Sequence, residues 1–275
     1  MRNSKLLILV QARTGSSRFP NKVLKPVLDK PILIHQLERI QSIQRKAEIV
    51  VITSLEPEDD AVVEISKKYG FPVFRGSLLD LLDRHYQAAK AYDADWIVKI
   101  PSDCPLIDPQ IIDEVFDYCF SHEGEFDFVS NLHPASYPDG NDVEMMTFSA
   151  LEKAWKEAKR PFEREHTTPY FWENPSLFSI GNWEWKSGLK YDMSHRFTLD
   201  YPEDLTFIDQ VYQHLYFSKP FFCLDDILNL LQAHPEIYQI NSSYAGVNWY
   251  RNHLHELRTI GVEQTNMYHE IRKTN

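Results

Sequence analysis

The 275-residue chain has few cysteines, a deficit of positive charge and no long apolar run. Its three cysteines form neither a paired framework nor a metal-ligand spacing, which favours reduced thiols over the disulfides of a secreted protein. No apolar stretch is long enough to cross a bilayer, so we expect no membrane partner. Together these absences predict a soluble, cytoplasmic protein.

Positive charge is the scarcer sign, with 29 Lys and Arg against 40 Asp and Glu, a formal net charge of -11. Because the average surface repels a polyanion, nucleic acid is not expected as a partner. The hydrophobic fraction of 43% and the charged fraction of 25% are those of a globular protein. We therefore predict one domain over residues 1–275.

Apolar runs alternate with helical patterns over the first 130 residues. Leu6 to Val10 is a continuous aliphatic run, typical of a strand buried on both faces of a sheet. Further strands are predicted at 49–53, 73–75, 96–100 and 126–130, and helices at 31–43, 57–70, 78–92 and from 109 to before Gly124. This alternation predicts an α/β three-layer sandwich with a mostly parallel mixed sheet, whose ligands bind at the carboxyl ends of the strands.

The alternation weakens after residue 130. A capping box of Ser149 and Glu152 predicts a helix to about Lys159, and extended structure is predicted at 177–185. A strand is predicted at 196–199 and a helix at 202–215. Two or three more helical segments and a polar tail after Gly261 complete the chain.

The loop at residues 11–22 directly follows the first strand and gathers three cations, Arg13, Arg18 and Lys22. Gly15 lets backbone N–H groups approach a ligand closely, and serines such as Ser17 add hydrogen-bond donors. Such a loop suits a triphosphate, although a solvated turn is the alternative. It has neither the Walker ending nor a dinucleotide fingerprint.

Two carboxylates follow predicted strands, where the ligand crevice of an α/β sheet lies. Asp103 comes after the strand at 96–100, and Asp200 comes after the strand at 196–199. A hard cation that bridges phosphate oxygens would need carboxylates there. The alternative for Asp103 is a turn residue or a helix cap, and for Asp200 a helix N-cap.

Several ordered motifs between residue 6 and about residue 210 resemble one family. They are the loop at 11–22, Phe74-Arg75-Gly76-Ser77 with Asp80 and Arg84, Ser102-Asp103-Cys104-Pro105-Leu106-Ile107-Asp108-Pro109, and Arg164-Glu165-His166-Thr167-Thr168-Pro169-Tyr170. The chain resembles the spore-coat polysaccharide cytidylyltransferases, relatives of the CMP-Kdo and CMP-sialate synthetases. The resemblance implies a GT-A-like fold and transfer of CMP from CTP to a sugar or sugar acid, with release of pyrophosphate, for surface polysaccharide.

The resemblance also implies roles for individual residues. Those implied in catalysis are Arg13, Lys22, Asp103 and Asp200, with Mg²⁺ held by Asp103 and Asp200. Those implied in nucleotide binding are Arg13, Gly15, Ser17, Arg18, Lys22, Thr53, Ser54, Arg75, Gly76, Ser77 and Asp103. Those implied near the sugar are Asp142, Glu144, Arg164 and His166. For Arg164 and His166 a structural corner from a neighbouring subunit is the alternative, and relatives often pair as homodimers.

On this basis residues 1–130 form a nucleotide-binding half, 131–220 carry the sugar site and the second metal ligand, and 221–275 form a helical segment. Two residues depart from the family pattern, because Asn21 and Ser102 stand where glycine is usual. The pair Thr53-Ser54 reads base identity weakly, so another nucleoside triphosphate stays open. The rival functions are a glycosyltransferase that uses a nucleotide-sugar, which would want an Asp-x-Asp cluster, and a non-catalytic nucleotide-binding protein.

Overall fold

The computed structural model of the protein describes residues 4–122 and 124–267. Seven strands form one mixed sheet, and two two-residue strands form a small antiparallel ribbon. The strands are β1 (Leu6–Gln11), β2 (Pro26–Val27), β3 (Lys30–Pro31), β4 (Glu48–Ser54), β5 (Val73–Gly76), β6 (Trp96–Pro101), β7 (Phe128–Ser130), β8 (Glu144–Thr147) and β9 (Ile180–Asn182). The five strands predicted in the first 130 residues are confirmed, with ends shifted by one or two residues.

The order of strands in the large sheet is β5-β4-β1-β6-β8-β7-β9. Strand β1 lies in the interior of the sheet, parallel to β4 on one side and to β6 on the other. Only β8 runs against its two neighbours, β6 and β7. The chain thus leaves β1 and β6 at the same edge of the sheet, where a ligand crevice is expected.

Helices cover both faces of this sheet. They are α1 (Ile32–Gln41), α2 (Asp60–Lys68), α3 (Leu81–Ala91), α4 (Pro109–Ser121), α5 (Phe148–Glu157), α6 (Pro161–His166), α7 (Pro169–Trp172), α8 (Pro202–Leu215), α9 (Leu224–Ala233) and α10 (Pro235–Gln239). Ile8 and Val10 of β1 pack with α1 and α4, whereas Leu7 and Leu9 pack with α3 and α5. The predicted three-layer α/β sandwich is therefore confirmed.

Helices α8, α9 and α10 form a third apolar cluster beside the sheet, together with Phe197 and Leu199. This confirms the predicted helix at 202–215, and α9 and α10 agree with the two or three helical segments expected after it. The end of the predicted polar tail, residues 268–275, lies outside the described residues. None of the helices in the described ranges is both long and apolar enough to cross a bilayer. The division of the domain into halves stays a prediction.

Two predictions for the second half are wrong. Helix α5 is capped by Thr147, whose hydroxyl accepts from the backbone N–H of Ala150 at 3.2 Å, and not by Ser149 with Glu152. The segment at 196–199 forms one isolated bridge instead of a strand. Its backbone bonds elsewhere, because the N–H of Leu199 donates to the carbonyl oxygen of Asp103 at 2.8 Å.

Candidate active site

A cavity of about 680 Å³ opens at the edge of the sheet where β1 and β6 end. Parts of the chain that are distant in sequence line it, among them the loop at 11–22, the residues after β6, the segments at 78–84, 131–144, 165–172 and 190–200, and a C-terminal segment at 247–253. Both carboxylates and all three cations singled out in the sequence lie on its wall: Arg13, Arg18, Lys22, Asp103 and Asp200. The topology of the sheet thus gathers residues that are far apart in the sequence.

The loop at 11–22 is closed by its own backbone and by one buried carboxylate. The N–H and hydroxyl of Thr14 donate to Asp59 at 2.7 and 2.9 Å, and the carbonyl of Thr14 accepts from the N–H of Asn21 at 2.9 Å. Burial opposes ionisation of Asp59, yet hydrogen bonds from Ser54 and Thr14 hold its pKa below the usual value. Asp59 is therefore a charged anchor for the loop.

Both departures from the family pattern fit this backbone. Asn21 has φ 58 and ψ 22, the left-handed conformation that asparagine adopts more readily than other non-glycine residues. Ser102 is buried and has no positive φ, and its N–H donates to the carbonyl of Gln11 at 3.2 Å. Asn21 thus adopts a conformation that glycine also favours, whereas Ser102 does not require the conformational freedom of glycine.

Lys22 is the centre of the charged group. Its Nζ donates to Oδ1 of Asp200 at 2.9 Å, to the carbonyl of Leu199 at 2.7 Å and to Oδ2 of Asp103 at 3.4 Å. Arg18 contacts the same oxygen of Asp200 at 2.7 Å. The two carboxylates predicted to share a cation thus converge on one ammonium group.

The charges in this group support one another. Burial opposes ionisation of Asp200, but Lys22, Arg18 and Arg196 hold its pKa well below the usual value. Burial likewise opposes the charge of Lys22, but Asp103 and Asp200 raise its pKa. Lys22 and Asp200 therefore stay charged at neutral pH.

Asp200 is held in place by a turn around Gly140. The N–H of Phe197 donates to the carbonyl of Asp139 at 2.7 Å, and the N–H of Asp139 donates to the carbonyl of His195 at 3.0 Å. Gly140 has φ 108, and a Cβ there would lie 2.7 Å from the carbonyl carbon of Phe197. The pair Asp139-Gly140 is a typical local turn sequence, whereas its partner segment is distant in sequence.

Sequence reasoning missed Arg196, which also holds the segment that carries Asp200. Its buried guanidinium contacts Asp204 at 2.9 Å, Asp200 at 3.3 Å and Asp139 at 3.5 Å. Burial works against its charge, but the hydrogen bond to Asp204 and the charge of Asp139 raise its pKa. Arg196 therefore positions Asp200 from the side away from Lys22.

The two converging carboxylates fit the donor set that Mg²⁺ prefers, which is carboxylate oxygen completed by phosphate and water. Their contact with the ammonium of Lys22 shows that both can face one cation. Within residues 4–122 and 124–267, no group of three or more His, Cys, Asp or Glu side chains could hold a metal ion. A metal ion at Asp103 and Asp200 would therefore need oxygens from a bound ligand.

The side chains predicted near the sugar divide into two groups. Asp142, Glu144 and His166 line the cavity, whereas Arg164 lies outside its lining. Arg164 donates to Oδ2 of Asp80 at 2.9 and 2.6 Å, which makes it a structural corner within the chain. Its role toward the sugar stays a prediction.

Glu144 and Asp142 differ in their electrostatic surroundings. Glu144 forms a buried ion pair with Lys99. Burial, with the charges of Asp103 and Glu144, raises the pKa of Asp142 to about 7. Asp142 therefore holds a proton more readily than an ordinary carboxyl group and can exchange hydrogen bonds with hydroxyl groups.

Several residues implied in nucleotide binding lie outside the lining of this cavity: Gly15, Thr53, Ser54, Arg75, Gly76 and Ser77. Ser54 is buried and its hydroxyl bonds to Asp59, and Nε of Arg75 donates to the carbonyl of Ser54 at 2.9 Å. The carbonyl of Ser77 accepts from Nε of Arg84 at 2.8 Å, and Arg84 lines the cavity. The nucleotide-binding roles of these six residues stay predictions.

A group of rings on the cavity lining, which we call the ring wall, consists of His133, His166, Trp172, Trp249 and Tyr250, and sequence reasoning identified only His166 among them. His166 stacks on Trp249 with 3.8 Å between ring centroids, and His133 packs on Trp172 at 4.4 Å. Rings scattered over 118 positions of sequence carry no shared local pattern, so only their neighbours in space reveal the wall.

The cytidylyltransferase family model matches residues 7–222 of this chain. Among solved structures, a cytidylyltransferase from Leptospira borgpetersenii is similar, with 37% identity and a TM-score of 0.81, over 86% of this chain and 98% of the other. The fold is thus shared along nearly the whole length of that enzyme.

Three curated relatives are also similar. An uncharacterized protein of Methanocaldococcus jannaschii is 39% identical over 87% of this chain and 95% of its own length. Spore coat polysaccharide biosynthesis protein SpsF of Bacillus subtilis is 28% identical over 84% and 95%. The 8-amino-3,8-dideoxy-manno-octulosonate cytidylyltransferase of Shewanella halifaxensis is 34% identical over 58% and 67%. These comparisons confirm the resemblance inferred from the sequence motifs.

Proposed function

This chain belongs to the cytidylyltransferase family and is an enzyme of that class, and we propose that it transfers CMP from CTP to a sugar acid and releases pyrophosphate. The observation that carries the proposal is the convergence of Asp103 and Asp200 on Lys22 inside the cavity. The name of the Bacillus subtilis relative supports a role in surface polysaccharide synthesis.

The cations of the loop at 11–22 bind the triphosphate in this proposal. Arg13 and Arg18 are exposed at the cavity, and Lys22 is held among carboxylates that keep it charged. Cations fixed beforehand stabilise the charge that develops on phosphoryl and pyrophosphate oxygens without having to reorganise. Lys22 and Arg18 would exchange part of their contact with Asp200 for phosphate oxygens.

Asp103 and Asp200 would hold Mg²⁺, which supplies charge stabilisation at phosphate oxygens when it is bound. The chain supplies their alignment. The carbonyl of Asp103 accepts from Leu199, and Arg196 and the turn at Gly140 hold Asp200. Both carboxylates are thus oriented before any ligand binds, which reduces the cost of assembling the site.

The sugar lies on the side of Asp142 and Glu144 in this proposal. A carboxylate and a carboxyl group with a raised pKa can each bond to sugar hydroxyls. A cavity of about 680 Å³ accommodates a nucleotide and a sugar together. The homodimer, the cytoplasmic location and strict preference for cytosine stay predictions.

The test is pyrophosphate release from each of four nucleoside triphosphates against a panel of sugar acids and neutral sugars. We expect release with CTP and a sugar acid, dependent on Mg²⁺, and the matched variant Asp103→Asn to lose it. Asp113→Asn, which lies on α4 outside the cavity lining, is the control.

Binding of CTP without turnover across the panel would favour a non-catalytic nucleotide-binding protein. Transfer of sugar from a finished nucleotide-sugar, with no pyrophosphate, would favour the glycosyltransferase. Either result would contradict the proposed function.

A further inference from the structure

Residues 247–260, which we call the C-terminal strap, complete the cavity. Trp249 and Tyr250 of the strap line it, yet they lie beyond residues 7–222, which the family model matches. Burial, followed by the charges of Glu144 and Asp142, raises the pKa of Tyr250 well above its usual value, so Tyr250 lies near both carboxyl groups. The strap therefore forms a wall on the side of the cavity where the proposed function places the sugar.

The strap has little regular structure of its own. All of its residues are described, and a 3₁₀ turn at Trp249–Asn252 is the only helix or strand among them. Leu257 and Ile260 are buried in the apolar cluster that also contains Phe171. Because few backbone hydrogen bonds lie within the strap, its position depends on contacts with the rest of the domain.

One carboxylate provides most of the polar contacts of the strap with α7. Glu173 directly follows Trp172 at the end of α7, and its side chain is fully buried. Oε1 of Glu173 accepts from the N–H and the hydroxyl of Thr259 at 2.9 and 2.7 Å. Both of its carboxylate oxygens accept from the N–H of Arg258 at 3.0 Å. Glu173 thus binds two consecutive backbone N–H groups of the strap.

Glu173 is charged in this buried position. Burial opposes its ionisation, but the hydrogen bonds from Thr259 and Arg258 hold its pKa below the usual value. Hydrogen bonds to an ionised acceptor are shorter and stronger than those between neutral groups. Glu173 lies outside the cavity lining, so it acts on a bound ligand only through the residues that it holds.

We propose that Glu173 is a positioning residue for the acceptor, because it holds the strap where Trp249 and Tyr250 close the cavity. A wall that is in place only part of the time weakens binding in proportion to the fraction of molecules that have it in place. This inference rests on the proposed function, because it concerns the acceptor of that reaction, but it does not depend on which sugar the acceptor is.

The charged end of the cavity should not depend on Glu173. Arg196, which positions Asp200, donates to the carbonyl of Val247 at 3.0 Å, at the beginning of the strap. This contact lies far along the chain from Arg258 and Thr259 and does not involve the carboxylate of Glu173. Loss of the carboxylate should therefore affect binding of the acceptor and leave binding of CTP unchanged.

The test compares the kinetics of wild type and Glu173→Gln, with the full chain, Mg²⁺, CTP and the sugar acid of the panel that wild type uses best. Glutamine keeps the size of the side chain but replaces one accepting oxygen by a donor, which then faces a backbone N–H. We expect the KM for the sugar acid to rise about tenfold, as if the strap were in place in about one molecule in ten. The kcat and the KM for CTP should each change by less than about twofold.

Hydrogen exchange measures the strap itself without any substrate. The amides of Arg258 and Thr259 should exchange at least about tenfold faster in Glu173→Gln than in wild type, because their acceptor is lost. The amides of β1 should keep their wild-type rates. Equal acceleration in β1 would show a general loss of stability and would overturn the positioning role.

Two further variants control the comparison. Glu157→Gln is the control, because Glu157 accepts from the hydroxyl of Tyr170 on α7 at 2.9 Å but belongs to α5 and lies outside the cavity lining. It should keep the wild-type KM for the sugar acid. Thr259→Val removes one donor to Glu173 and keeps the volume of the side chain, so it should raise that KM by about threefold.

An unchanged KM for the sugar acid in Glu173→Gln, or an equal rise in the KM for CTP, would overturn the inference while leaving the proposed function standing. If Glu173→Gln fails to fold, the rise must appear in Thr259→Val, and an unchanged KM there overturns the inference. Absence of pyrophosphate release by wild type with every acceptor would instead overturn the proposed function, and the inference with it.

Discussion

The two ends of the cavity are built on opposite principles. At one end, Lys22, Asp103 and Asp200 are charged and fixed by mutual attraction. At the other end, the ring wall is neutral and fixed by stacking. A polyphosphate needs cations that are present before it arrives, whereas the uncharged part of a sugar needs a surface without competing charge. The contrast explains how one cavity can receive two chemically different substrates.

Removal of Lys22, the central cation of the charged end, should cause the largest loss of activity. Lys22→Ala removes one preorganised donor from the triphosphate and should cost roughly 3 kcal/mol of transition-state stabilisation, or about a hundredfold in kcat. The measurement is pyrophosphate release at saturating CTP. Lys25→Ala is the control, because Lys25 belongs to the same stretch of chain but lies outside the cavity lining. An unchanged rate in Lys22→Ala would remove Lys22 from the mechanism.

The turn that holds the segment of Asp200 can be disrupted without replacing a charged residue. Gly140→Ala combines a positive φ with a Cβ only 2.7 Å from the backbone of Phe197, so the segment that carries Asp200 must move. We expect a loss of about 2–3 kcal/mol in the free energy of unfolding, measured by urea denaturation.

Gly188→Ala separates strain from collision, because Gly188 has φ +75 but no atom within 4 Å of an added Cβ. It should cost only about 1 kcal/mol, the strain alone. Equal losses in the two variants would show that the close approach to Phe197 has no energetic weight.

The neutral end can be tested by pH. The pKa of His166 is about 3 in the folded chain against an ordinary 6.5, so only the unfolded chain takes up this proton as pH falls from 6.5. The contribution of His166 to the free energy of unfolding should therefore be complete above pH 6.5 and decrease as pH falls toward about 3. Allowing for partial exposure, His166 should contribute roughly 1 kcal/mol to this loss.

His166→Phe keeps a ring against Trp249 and removes the titration. Urea denaturation at pH 7 and pH 5 should show a smaller loss of stability in this variant than in wild type. His255→Phe is the control, because the side chain of His255 is 78% exposed. The same loss in His166→Phe and wild type would contradict the assignment of a neutral buried imidazole.

Local patterns determined the first half of the fold. Neighbouring residues encode both the aliphatic run of β1 and the cap of α4. In that cap, Asp108 accepts from the N–H of Gln110 at 2.9 Å. The segment at 196–199 does not form the predicted strand, because its hydrogen bonds go to Asp103 and Asp139, which are distant in sequence. Propensity cannot anticipate such partners.

By itself, the sequence determined the family, the α/β sandwich and the charged residues, because a loop after a buried strand and a carboxylate at a strand end are local features. Only the tertiary structure decided that Lys22 joins Asp103 to Asp200, that Arg196 holds them, and that Trp249 closes the other end. Such contacts depend on which strand edges and chain segments meet in space. That is a property of the whole packed chain, and no short stretch of residues encodes it.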